Sequence, residues 1–186
     1  MMKKHIIIWA ITPLLLFLVA CSGESLELQY KNMVGEPVVI PYEKLEKKLL
    51  SLYVDTVHRN CQYKLVSLIR MEECLPCNIS ELSMLDNEYT ENRINDKCEV
   101  VYIVEADKKN RDFVFNELYR SRINHPVYID TCTDFMKNNP TIPDNPIFHT
   151  FLLNWQDSVI MVGNPFRDKK RTEKFLRLID GDIEIR

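Results

Sequence analysis

Apolar positions along this chain fall into short blocks whose spacing changes from block to block. Residues 63–69 (YKLVSLI) and 99–106 (EVVYIVEA) are almost continuously apolar, which predicts strands buried on both faces of a sheet. Residues 126–130 (PVYID) predict a third, shorter strand. Between these runs the period lengthens. Ile79, Leu82, Leu85 and Tyr89 fall on one face of a helix, and Phe115, Leu118 and Tyr119 on one face of another. CTDFMKNN offers a further helical turn or two. FHTFLLN and SVIMVG then read as an antiparallel hairpin with Trp155 at its tip. The last helix is expected to start from Asp168 as N-cap and to bury Thr172, Phe175, Leu176 and Ile179.

Upstream, residues 34–41 (VGEPVVIP) read as an extended segment bounded by Gly35 and two prolines. Residues 42–60 place Leu45, Leu49, Tyr53 and Val57 at four-residue steps, which predicts an amphipathic helix. The alternation of strand and helix, closed by a hairpin and a helix, predicts an α/β fold. Its central mixed sheet is flanked by helices and preceded by an N-terminal helical extension.

The first residues carry a different signal. Lys3 and Lys4 precede an apolar run over 6–20, broken only by Thr12 and Pro13, the pattern of an export signal. The run falls short of the ~20 residues that span a bilayer. It ends in LVAC, followed by SGES, which resembles a bacterial lipobox with Cys21 as the lipidated first residue. The expected organisation is a signal peptide over 1–20, a lipidated N-terminus and polar tether over 21–33, and one domain over 34–186. The expected location is the cell envelope, lipid-anchored and facing the periplasm or the cell surface. Ser22 after Cys21 leans toward the outer membrane by the enterobacterial sorting rule.

Removing the signal takes away two of the 24 basic residues and none of the 27 acidic ones, so the remainder stands at 22 minus 27, or −5. A nucleic-acid partner would want a concentrated basic face, so none is expected. The one basic cluster, RDKKR at 167–171, reads as the solvated face of the last helix. Five cysteines remain beyond Cys21: Cys61, Cys74, Cys77, Cys98 and Cys132. Outside the cytoplasm disulfides are permitted, and an odd count leaves at least one thiol without an intrachain partner.

The densest chemistry lies in EECLPCNISE, residues 72–81. Cys74 is placed in the loop after a buried strand, and Cys77 opens the next helix. A helix N-terminus offers unsatisfied N–H groups and the positive end of the dipole, both of which favour a thiolate. Cys74 is therefore the expected exposed nucleophile, and Cys77, one turn inside, the thiol that resolves a mixed disulfide. Pro76 restrains the backbone between them. A zinc site would need two more ligands, and Cys98, Cys132 and His149 are scattered singly, so no metal is expected. Cys61 and Cys98 each precede a buried strand. They have two open states, a disulfide with each other or two buried thiols.

The Cys-x-Pro-Cys between strand and helix, followed by βαβ and HTFLLNWQDSVIMVGNP, resembles the thioredoxin-like superfamily. Within it the chain looks like membrane-tethered TlpA-type thiol–disulfide oxidoreductases and related Bacteroides-type lipoproteins. The resemblance covers roughly residues 34–180. It implies dithiol–disulfide exchange with exported cysteine-containing proteins and a redox partner protein, without a cofactor, with Cys74 attacking and Cys77 resolving. Pro76, Glu73 and Glu81 would be the supporting residues. Glu73 stands where these proteins usually carry an aromatic residue. Ser80 stands where they often carry a glutamate, with Glu81 one step on, about 100° around the helix. The family's cis-proline position falls on Phe148, with Pro146 two residues earlier. Either the loop shifts Pro146 toward the cysteines or the cis peptide is absent. His149 lies on the same loop, either tuning a thiolate or touching substrate, or serving as an ordinary packing residue. Glu72 and Glu73 beside Cys74 would raise its pKa, which points to a reductant or isomerase. The competing reading is a redox-inactive thioredoxin-fold lipoprotein that serves as a binding or structural module.

Overall fold

The computed structural model describes residues 24–50, 61–92, 94 and 96–181. The export segment, Cys21 and residues 51–60 of the expected amphipathic helix lie outside the described residues. The chain divides into two compact units, Met1–Lys31 and Asn32–Arg186. In the first, the stretch expected as an aperiodic tether begins a helix, α1 (Leu26–Met33), supported by a Glu27–Lys31 pair one turn apart.

The second unit is built on a six-stranded sheet. In chain order the strands are β1 (Glu46–Lys48), β2 (Tyr63–Ile69), β3 (Cys98–Glu105), β4 (Val127–Asp130), β5 (Thr150–Leu153) and β6 (Val159–Val162). In space the order is β1-β4-β3-β2-β5-β6. Strands β2, β3 and β4 run parallel, while β1, β5 and β6 pair antiparallel with their neighbours. The parallel strands need crossovers, which α2 (Leu75–Glu91) and α3 (Arg111–Arg120) supply. Helices α4 (Asp134–Asn138) and α5 (Lys169–Ile179) follow β4 and β6. This is the mixed α/β sheet that the apolar blocks predict.

Strict alternation along the central strands explains why they read as unbroken apolar runs. On β3, Val100, Tyr102 and Val104 enter one core with Ile79, Leu82, Leu85 and Phe175. Val101 and Ile103 enter a second core on the opposite face, with Met33, Val38, Phe135 and Phe148. Both faces are buried, so no polar position interrupts the strand. The expected extended segment holds from Glu36 on, after a turn at Val34 and Gly35: Pro37 bridges Ser158, and Gly35 and Val38 donate to the carbonyls of Val159 and Asp157.

Two elements differ from the sequence expectation. Over 42–50 the chain makes a single 3-10 turn (Tyr42–Lys44) and the edge strand β1, in place of the first half of an amphipathic helix. Leu45 is buried but Leu49 is 54 % exposed, so the four-residue spacing does not mark a buried stripe. Pairing with β4 governs this segment, and the charged sequence EKK suits a short sheet edge. On α3 the buried pair is Val114 and Leu118, whereas Phe113, Phe115 and Tyr119 are exposed. No helix among the described residues is long and apolar enough to cross a membrane.

Candidate active site

Strand β2 delivers the chain to the carboxyl edge of the sheet at Ile69, and five residues later Cys74 caps α2. Leu75 and Pro76 occupy the first helical positions, where the missing proline N–H leaves nothing unsatisfied. Cys74 and Cys77 form a disulfide with their Cα atoms 5.5 Å apart. Both cysteines are exposed. The carbonyl of Cys74 accepts the Asn78 amide at 3.0 Å, which closes the first helical turn around the disulfide.

The two glutamates before Cys74 are both engaged. Glu73 is largely buried; its Oε1 lies 2.7 Å from His149 Nδ1, and its Oε2 accepts the side-chain amide of Asn78. One carboxylate thus brackets the disulfide from the residue before Cys74 to the residue after Cys77. Glu72 lies 3.7 Å from Arg70, which also reaches Asp144 at 2.5 Å and Glu105 at 3.6 Å. The field at Cys74 is therefore not that of two uncompensated acids.

Residues 143–149 form the facing loop. Every peptide bond among the described residues is trans, and Pro146 opens a 3-10 turn (Pro146–Phe148) capped by the Asn145 side chain. Phe148, at the position where the resemblance places a proline, turns its ring into the second core and donates its amide to the Asn145 carbonyl at 3.0 Å. His149 follows. It is 2 % exposed, its carbonyl accepts from Leu68 at 2.8 Å, and its Nε2 lies 3.1 Å from the Pro143 carbonyl. The loop does meet the turn bearing the cysteines, through His149 and Glu73.

Between the first turns of α2 and the loop at 146–150 lies a cavity of about 90 Å³, lined in part by Ser67, Glu73, Asn78, Glu81, His149 and Thr150. It adjoins a groove of about 650 Å³ that runs along α2 past Glu81 and Glu88, with Ile147, Asn164, Arg167 and Arg171 among its other walls. Gly163 makes the turn at this groove with φ +92, and a Cβ there would strike the Arg171 guanidinium. Glu81, one step past the expected helix position, lines both the cavity and the groove.

Two acids close the carboxyl ends of the neighbouring strands. Glu105 ends β3 fully buried; burial raises its pKa, while the Met71 amide and Arg70 oppose the rise. Asp130 ends β4 and accepts the amides of Cys132, Asp134 and Phe135, which shapes the loop into α4. Cys132 is an exposed thiol on that loop. Cys98 is buried as a thiol, not bonded to Cys61, and burial pushes its pKa up, so it is chemically quiet. No cluster of three or more metal-binding side chains occurs among the described residues.

Sequence reasoning missed Asn78, Arg70, Ser67, Thr150 and the Glu73–His149 contact. That contact joins residues 76 positions apart, and no local period signals it. Glu105 and Asp130 left a legible trace, since an acid at the end of an apolar strand faces a buried edge.

The sheet order, the disulfide between β2 and α2, and the closing hairpin define a thioredoxin-like fold. No family model and no curated protein matches the chain. Among solved structures, it is similar to a DsbF homologue from Corynebacterium diphtheriae at 15% identity and a TM-score of 0.46, over 78% of this chain and 85% of that one. It is also similar to a putative protein disulfide isomerase from Bacteroides thetaiotaomicron at 11% identity and 0.45, over 66% and 73%. Copper-bound yeast Sco1 matches at 12% identity and 0.47, over 81% and 95%.

Proposed function

We propose that this protein is a thiol–disulfide oxidoreductase of the cell envelope, exported by residues 1–20 and held to the membrane by a lipid on Cys21. The observation that carries the reading is an exposed Cys74–Cys77 disulfide at a helix start, on a turn that meets the 143–149 loop through Glu73 and His149. In the reduced protein the Cys74 thiolate attacks a substrate disulfide and releases one substrate thiolate. Cys77, as thiolate, then attacks the Cys74 sulfur and releases the second. Two electrons pass to the substrate, and the Cys74–Cys77 disulfide is left for a redox partner's dithiol to reduce. Substrates are exported cysteine-containing proteins.

Trapping tests the reading. Cys77→Ser accumulates mixed disulfides with partner proteins through Cys74, and Cys74→Ser abolishes them. Absence of such species in cells, together with failure to reduce a model disulfide, refutes an enzyme and leaves the binding module.

A further inference from the structure

We infer that Arg70 is a positioning residue for the exchange reaction, holding the turn that carries Cys74 in the place where Cys77 can reach it. The inference rests on the thiol–disulfide reading above and adds a residue to it. Arg70 is the first residue after β2, and its side chain is 17 % exposed. Each of its three guanidinium nitrogens faces a different acid. Glu72 of its own turn lies at 3.7 Å, Glu105 at the end of β3 at 3.6 Å, and Asp144 of the 143–149 loop at 2.5 Å. Glu105 also accepts the Met71 amide at 3.4 Å, and the Arg70 carbonyl accepts the Glu73 amide at 3.2 Å. Two consecutive residues of the turn are therefore fastened to the end of a central strand. Polar ties hold this end, because the Met71 and Glu72 side chains are exposed. The far end is held by Glu73, through His149 and Asn78.

Cys74 caps α2 with extended backbone, φ −66 and ψ 92, so its placement depends on the chain that enters it as well as on the helix. While the S–S bond is closed, the bond itself fixes the two sulfurs. Once exchange opens it, only the backbone keeps them together. Cys77 must still attack the Cys74 sulfur to displace the substrate thiolate. The effective concentration of one sulfur at the other then sets both the rate of that displacement and the stability of the re-formed disulfide. A turn fastened to β3 and to the facing loop keeps that concentration high. A loose turn spreads the reduced form over more conformations and favours it over the disulfide. Lysine cannot replace arginine here, since a single ammonium lacks the planar fork that meets three carboxylates at once.

Reduction potentials of the Cys74–Cys77 pair test this, measured on the intact protein in a dithiothreitol redox buffer with alkylation of the reduced form. Arg70→Gln is expected to lower the equilibrium constant for disulfide formation on the order of tenfold, a shift of about 30 mV toward a more oxidising pair. Loss of the positive charge alone would destabilise the thiolate and move the potential the opposite way. An unchanged potential, or a shift toward a more reducing pair, therefore overturns the inference. Arg70→Lys should shift the pair as Arg70→Gln does; a wild-type potential in Arg70→Lys overturns positioning in favour of charge. Asp144→Asn removes only the tie to the loop, at an exposed residue, and decides the matter if Arg70→Gln does not fold. Its shift is expected in the same direction and smaller, on the order of threefold in the equilibrium constant, the scale of an exposed ion pair. An unchanged potential in Asp144→Asn then overturns the inference. Failure of the wild type to reduce a model disulfide refutes the function itself, and the potentials still read what Arg70 does to the pair.

Discussion

Asp86 and His125 meet in the buried layer between α2 and the start of β4, with Asp86 Oδ1 2.5 Å from His125 Nδ1. Asp86 Oδ2 accepts both the backbone and the side-chain amide of Asn124, at 2.7 and 3.0 Å. Tyr89 packs edge-on against the His125 ring, 4.9 Å between centroids. The helix that carries the disulfide at its first turn is therefore pinned at mid-length to the segment entering β4. A fully buried carboxylate is tolerated there because three donors surround it.

Asp86→Ala would leave the Asn124 amide and the His125 ring without their acceptor. Each orphaned buried group costs roughly 1–3 kcal/mol, so a loss of about 3 kcal/mol or more is expected from urea unfolding. A change within ~0.5 kcal/mol, the range of ordinary surface substitutions, would show that the contact does not pin the helix.

Phe148→Pro offers a contrast with the family pattern. Proline would remove the amide that bonds to Asn145 and empty the buried ring's place in the second core. Losing a buried phenylalanine costs about 3–5 kcal/mol, so this variant is expected to melt well below wild type. A melting temperature equal to or above wild type would mean that the loop accepts the family's proline geometry.

Glu105 makes a pH-dependent prediction. Burial raises its pKa in the folded state, so the folded protein binds a proton there more readily than the unfolded chain. Stability is then lost as pH rises through the interval between the unfolded and folded values, and regained as pH falls. Glu105→Gln is expected to be more stable than wild type at neutral and alkaline pH, with the difference closing as the solution is acidified through the carboxylate range. Chemical denaturation at several pH values checks this, and a difference that does not change with pH would contradict it.

What could be read from sequence, and what could not, divides along local and non-local physics. β2, β3 and the buried face of α2 were legible because burial writes a period into neighbouring residues: Ile79, Leu82, Leu85 and Tyr89 are all buried. Asp168 was legible as an N-cap because its side chain accepts the Arg171 amide three residues on. β1 was not legible, since Glu46–Lys48 is a strand only by virtue of β4, about eighty residues away. On α3, aromatic side chains suggested the wrong stripe; size draws the eye, but Val114 and Leu118 face the sheet. At the site, the cysteines and their strand–helix setting were legible. The engagement of Glu73 by His149 depends on how two loops meet, whereas Glu72 is met by Arg70 two residues earlier on its own loop; together they change the field expected at Cys74.

The equilibrium reduction potential of the Cys74–Cys77 pair, measured in a thiol redox buffer with alkylation of the reduced form, tests the central claim most directly. A pair that equilibrates reversibly near thioredoxin's ~−270 mV, with both sulfurs alkylated once reduced, is the predicted result. A potential well below ~−300 mV, the range of structural disulfides, with sulfurs that resist alkylation, would contradict it.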